Sequence, residues 1–62
     1  MASTIEVEHK RRLAVITPRA GKFKLEYYLT FEDGTRENVG GGLEYSEPAA
    51  IKRAESWTRD GR

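Results

Sequence analysis

The sequence predicts an α+β fold in the order β-β-β-α. The expected form is a small antiparallel sheet of three strands, or four if the N-terminus joins it, with one C-terminal helix packed on one face. Three observations predict this. Residues 23–31 alternate apolar and polar without a break, the pattern of a strand with one face on a core and one in water. Glu32-Asp33-Gly34 follows as a turn. Residues 46–61 open on a capping serine, close on Asp-Gly and carry one apolar stripe between.

The elements follow in order. Thr4-Ile5-Glu6-Val7-Glu8 alternates with β-branched residues, a strand signal. The charged run His9-Lys10-Arg11-Arg12 comes next, then Leu13-Ala14-Val15-Ile16-Thr17, a more buried strand. Ile5, Val7, Leu13 and Val15 share odd parity, which favours one long or broken strand over two strands joined by a turn at the basic run. Residues 1–12 are then either an edge strand or an N-terminal arm. Pro18-Arg19-Ala20-Gly21-Lys22 is a turn, with proline at its entry and glycine for a positive φ. As a five-residue loop it sets Val15 opposite Leu25 and Leu13 opposite Tyr27, keeping large apolar residues on one face.

In strand 23–31, Phe23, Leu25, Tyr27, Leu29 and Phe31 point to the core. A three-residue turn with Gly34 at the αL bulge position puts Val39 opposite Tyr27. It also sets Arg36 opposite Thr30 and Asn38 opposite Tyr28. Gly40-Gly41-Gly42 is expected to end the sheet as a flexible connection. Ser46 caps a helix with Glu47 and Pro48 in its first turn. Ala50, Ile51, Ala54 and Trp57 form its inner stripe. The expected core is Leu13, Val15, Phe23, Leu25, Tyr27, Leu29, Phe31, Val39, Ile51, Ala54 and Trp57, with Ala50 and Ala54 admitting the helix close to the sheet.

Sixty-two residues make a single domain, 1–62. A chain this short buries only about 60% of its unfolded surface. With no cysteine, regular packing or self-association must supply the margin that disulfides or zinc give other small domains. Eleven Lys+Arg balance ten Asp+Glu, for a net charge of +1, so a global positive field is absent. No apolar run approaches the ~18 residues of a membrane span, and the first residues show no secretory pattern. A cytoplasmic protein with no membrane partner is expected.

Catalysis is not expected. His9 falls on the opposite strand face from Glu6 and Glu8, and no serine or carboxylate is paired with a base. Gly40-Gly41-Gly42-Leu43-Glu44 lacks the Gly-Lys-Ser/Thr ending of a phosphate loop. No metal or cofactor is implied. The informative feature is the open sheet face, bearing Lys24, Glu26, Tyr28, Thr30, Arg36 and Asn38. A wet face carries such residues for solubility alone. A sheet of this kind also enters a DNA major groove. Arg36 then suits a guanine edge and Asn38 an adenine edge, with Lys24 and Tyr28 reading or stacking beside them. Lys10, Arg11, Arg12, Arg19 and Lys22 then hold phosphates.

The run from about Gly21 to Trp57 resembles the small β-β-β-α DNA-binding domains at the N-termini of tyrosine recombinases, the phage and transposon integrases. The GCC-box-type domains of transcription factors share the layout. The resemblance rests on Tyr-Tyr-Leu-Thr-Phe at 27–31, the Glu-Asp-Gly-Thr-Arg turn at 32–36, and a helix that begins Ser-Glu-Pro-Ala-Ala and closes on Ala54-Glu55-Ser56-Trp57. It implies a sheet lying in the major groove with the helix behind it. The expectation is a non-enzymatic DNA-binding module, such as a product of a phage or mobile element. The alternative is a small protein-interaction module or homodimer using the same face or a strand edge. Pairing of strand 23–31 and the N-terminal strand across a two-fold axis is one such arrangement. Trp57 discriminates between core, if buried, and a partner's anchor, if exposed.

Overall fold

The structure is a computed structural model that describes residues 4–61. Four antiparallel strands form one sheet in the order β1-β2-β3-β4, followed by one helix. They are β1 (Ile5–His9), β2 (Arg12–Arg19), β3 (Lys22–Thr30), β4 (Arg36–Glu44) and α1 (Glu47–Asp60). The class is α+β, as expected. The N-terminal segment is an edge strand from Ile5 onward; residues 1–3 of the expected arm lie outside the described residues. No helix among them is long and apolar enough to cross a membrane.

The turns set which way each side chain points, and two differ from expectation. His9 pairs with Arg12, so Lys10-Arg11 is a two-residue turn and residues 4–17 are not one long strand. Lys10 takes a positive φ of 58°. Four consecutive polar residues offer nothing to bury, so the chain reverses there. At the next corner Arg19 pairs with Lys22. Ala20 (φ 50°) and Gly21 (φ 76°) form the two-residue loop, and two positive φ values match the right-handed twist of the flanking strands.

The expected five-residue loop at 18–22 therefore does not form, and Pro18 and Arg19 remain in β2. Thr30 donates its amide to Arg11 (2.8 Å), so even-numbered residues of β3 turn their backbone groups to β2. Pro18, paired with Phe23, then aims its nitrogen away from β3, past the Ile5 end of β1. A missing N–H costs nothing in such a place.

The shorter loop inverts the pleat. Leu13 pairs with Tyr28 and Val15 with Glu26, while Ala14 pairs with Tyr27 and Ile16 with Leu25. Ala14, Ile16, Leu25, Tyr27, Ala50 and Ala54 make the core beneath α1, with Ile5, Val7, Phe23, Ile51 and Trp57 packed against it. Leu13 and Val15 lie on the far face of the sheet, where Leu13 is nonetheless buried, as expected, and Val15 is half-buried. The helix rests on a small residue of β2, and branched side chains there would hold it off.

The β3–β4 turn has its expected three-residue form. Phe31 donates to the Thr35 carbonyl (2.9 Å), Gly34 donates to that of Phe31 (3.0 Å), and Gly34 has φ 89°. Asp33 Oδ1 accepts from the Thr35 hydroxyl (2.6 Å) and amide (3.0 Å). These bonds, the hydroxyl's first, hold the Asp33 carboxyl below its usual range. Thr30 pairs with Arg36 and Tyr28 with Asn38, as expected.

A bulge then shifts the register, and Gly40 rather than Val39 stands opposite Tyr27. Val39 and Phe31, both expected in the core, are 45% and 46% exposed; Leu29 is half-buried. The glycine run does not end the sheet but lies inside β4. A Cβ on Gly41 would stand 2.5 Å from the Leu25 carbonyl oxygen, and one on Gly42 2.6 Å from the Arg53 guanidinium. Glycine here permits close approach, and Arg53 lies over the strand to reach Glu44 at 2.8 Å.

The helix ends match the sequence. Ser46 Oγ accepts from the Ala49 amide (3.3 Å), Pro48 sits in the first turn, and Gly61 closes the helix in αL with its amide on the Trp57 carbonyl (2.8 Å). Ala50 and Ala54 are wholly buried. Thr58, outside the expected stripe, is buried too, and its hydroxyl donates to the Glu55 carbonyl (3.1 Å). Ala54→Leu should overpack this seat and cost about 1–3 kcal/mol. A chain this size loses about 4–8 °C of Tm per kcal/mol, which thermal denaturation followed by circular dichroism will measure.

Candidate functional site

The helix covers one face of the sheet, and the other stays open. By register the open face carries Glu6 and Glu8 from β1, and Leu13, Val15, Thr17 and Arg19 from β2. From β3 and β4 it carries Lys22, Lys24, Glu26, Tyr28, Thr30, Arg36, Asn38 and Leu43. Lys24, Tyr28, Arg36 and Asn38 thus emerge together, away from the helix. Tyr28 sits at the middle. Its hydroxyl donates to Glu26 Oε2 (2.9 Å), and the Arg36 guanidinium lies 6.0 Å from its ring centroid. Asn38 Nδ2 donates to the Gly40 carbonyl at a long 3.4 Å. The Glu26 carboxylate accepting its proton raises the Tyr28 phenol above its ordinary pKa; Asn38 and Arg36 act in the opposite direction.

Basic residues gather at both ends of this face. At the Ala20-Gly21 turn, Arg19, Lys22 and Lys24 line a shallow groove of about 240 Å³ with Leu43. At the other end, Lys10 and Arg11 form the β1–β2 turn beside Thr30, whose hydroxyl donates to the Arg11 carbonyl (3.3 Å). Arg11 also pairs with Glu32 at 2.8 Å, both side chains largely exposed, an ion pair that contributes little. Lys10 and Arg11 border a second groove, of about 370 Å³, with His9, Arg12, Leu29, Thr58 and Arg59. It opens on the helix side of the sheet, and sequence spacing gave no reason to join Arg59 to residues 9–12.

Arg12 is the exception among the expected phosphate holders. The two-residue turn at Lys10-Arg11 places it on the helix face, opposite Leu29. Its Nη1 donates to the Trp57 carbonyl (3.1 Å), and its guanidinium lies 5.7 Å from the Trp57 ring centroid. Trp57 in turn stacks on Tyr27, with centroids 4.4 Å apart and planes 5° from parallel. Arg12 therefore closes the last turn of α1, where the helix dipole favours a cation. Trp57 is half-buried within this stack, a core role rather than a partner's anchor.

The sequence placed Glu26 on this face but missed the carboxylates of β1. Glu6 and Glu8 share the open face with Glu26, because the β1–β2 hairpin lays β1 alongside β2. Set against Arg19, Lys22, Lys24 and Arg36, they make this face acidic along β1 and more basic toward β4.

Arg12→Ala should lower stability by about 1–2 kcal/mol through the lost helix-end and ring contacts. Thermal denaturation measures this, and loss of the Tyr27–Trp57 stack should change the near-ultraviolet circular dichroism. Glu26→Gln should bring the Tyr28 phenol down toward its ordinary value, read by NMR titration of that ring; an unmoved midpoint would show that the bond to Glu26 is not what raises it. Comparison of the chain with protein-family models, with curated proteins and with solved structures finds no match.

Proposed function

We propose that this chain is a non-enzymatic binding module that takes DNA on the open face of its sheet. The observation that supports this best is the convergence of Lys24, Tyr28, Arg36 and Asn38 on one face that no element among the described residues covers. Arg36 and Asn38 stand in neighbouring rows, with side-chain types that bond guanine and adenine edges. Arg19 and Lys22 at one end, and Lys10 and Arg11 at the other, are placed to neutralise phosphates. The three strands β2, β3 and β4 do this work. Strands lie about 4.8 Å apart, so β1 runs roughly two spacings from β3, and Glu6 and Glu8 stay toward the groove wall rather than its floor.

A second reading has its own support. The three carboxylates, the half-buried Val15 and the exposed Leu43 on the same face suit a protein partner better than a polyanion.

The two readings separate by salt. Binding of labelled duplexes, followed by fluorescence anisotropy, should weaken steeply as salt rises, because each phosphate contact releases a counterion. Arg36→Ala should weaken binding by about tenfold or more, the loss expected for a base contact of ~1–3 kcal/mol, and leave Tm unchanged. Equal loss of binding and Tm would make Arg36 structural. No binding at about 50 mM salt, where phosphate contacts are strong, would remove the DNA reading and leave the protein partner.

A further inference from the structure

We propose that β4 is a dimerisation edge, along which two copies of this chain pair antiparallel into one continuous eight-stranded sheet. The sheet order leaves two edges, β1 and β4, and they differ in kind. β1 has five residues, carries Glu6 and Glu8 on its open face, and packs Ile5 and Val7 against the core. Charge and brevity are how proteins guard an edge. β4 has nine residues, with three glycines in succession. The four exposed large apolar side chains among the described residues, Phe31, Val39, Leu43 and Tyr45, all lie on β4 or beside it.

The strand order also rules out one alternative, since β3 is flanked on both sides by β2 and β4, and strand 23–31 has no edge of its own to offer. The backbone of β4 does. Odd-numbered residues of β3 face β4, and Leu25 and Phe23 pair with Gly42 and Glu44. The amides and carbonyls of Gly41 and Leu43 therefore point out of the sheet. A two-fold axis at Gly42 sets Gly41 opposite Leu43 of the second copy and Leu43 opposite its Gly41. Each pair exchanges two hydrogen bonds.

The same register brings Val39 toward Tyr45 of the second copy, just past the end of its β4, and sets Leu43 beside a glycine. Charge fits the antiparallel direction as well. The two Arg36 side chains come at opposite ends of the seam, whereas parallel pairing would set Arg36 on Arg36. A self-complementary edge favours a second copy over an unrelated strand. The axis stands perpendicular to the sheet, and both open faces look the same way. This pairing does not depend on what the open face binds.

Sedimentation of the unliganded chain from micromolar to millimolar concentration tests it. Mass should double with concentration, and the Gly41 and Leu43 amides should become protected from hydrogen exchange as it does. Leu43→Lys should hold the mass at one chain with its dilute Tm unchanged, because the side chain is already 42% exposed. Glu8→Lys, a charge change on the other edge, should leave the doubling intact. A single-chain mass at all concentrations overturns the proposal. So does a dimer that survives Leu43→Lys with both amides unprotected, or growth beyond two chains. Because no DNA is present, none of these results bears on the reading of the open face.

Discussion

Pleat parity, imposed by three tight turns, is the constraint on which the rest of this structure depends. Successive side chains of a strand point to opposite faces, so one residue more or less in a loop exchanges the two faces of everything after it. Lys10-Arg11 and Ala20-Gly21 are two-residue turns, and Glu32-Asp33-Gly34 is a three-residue turn. Together they send Ala14, Ile16, Leu25 and Tyr27 to one side, and Leu13, Val15, Lys24 and Tyr28 to the other.

The helix seat is the first consequence. Ala14 from β2 lies under a helix whose inner face offers Ala50 and Ala54, all three wholly buried. Small residues on both partners bring α1 close to the sheet. The last turn of the helix then meets Tyr27 and Arg12, and Trp57 is held between them. A chain of 62 residues has little core to spare. Its largest fully buried side chains are Ile16 and Leu25, the Tyr27–Trp57 stack adds to them, and glycines carry β4 beneath Arg53.

The open face is the second consequence. It is neither a uniform basic plate nor a plain solvated surface. Tyr28 stands at its centre, bonded to Glu26 and beneath Arg36, with lysines and arginines toward β4 and carboxylates along β1. Such a gradient distinguishes the two edges, one guarded by glutamates, the other lined with glycine and apolar side chains.

The amino-acid sequence by itself determined the element types, the β3–β4 turn and both helix caps. Each rests on local chemistry: strict alternation through 23–31, an αL glycine at 34, a serine oxygen at an N-terminus, an αL glycine at 61. It was enough to place Lys24, Tyr28, Arg36 and Asn38 on one face, because that turn and its strands are contiguous. Only the tertiary structure decided the parity of β1 and β2. A two-residue and a five-residue loop are both compatible with Pro-Arg-Ala-Gly-Lys, and only the two-residue loop turns Ala14 and Ile16 toward the helix. The same holds for Arg12, whose partner lies 45 residues away at the helix end, and for the glycine run, which is a strand because Leu25 and Arg53 occupy the space that side chains would need.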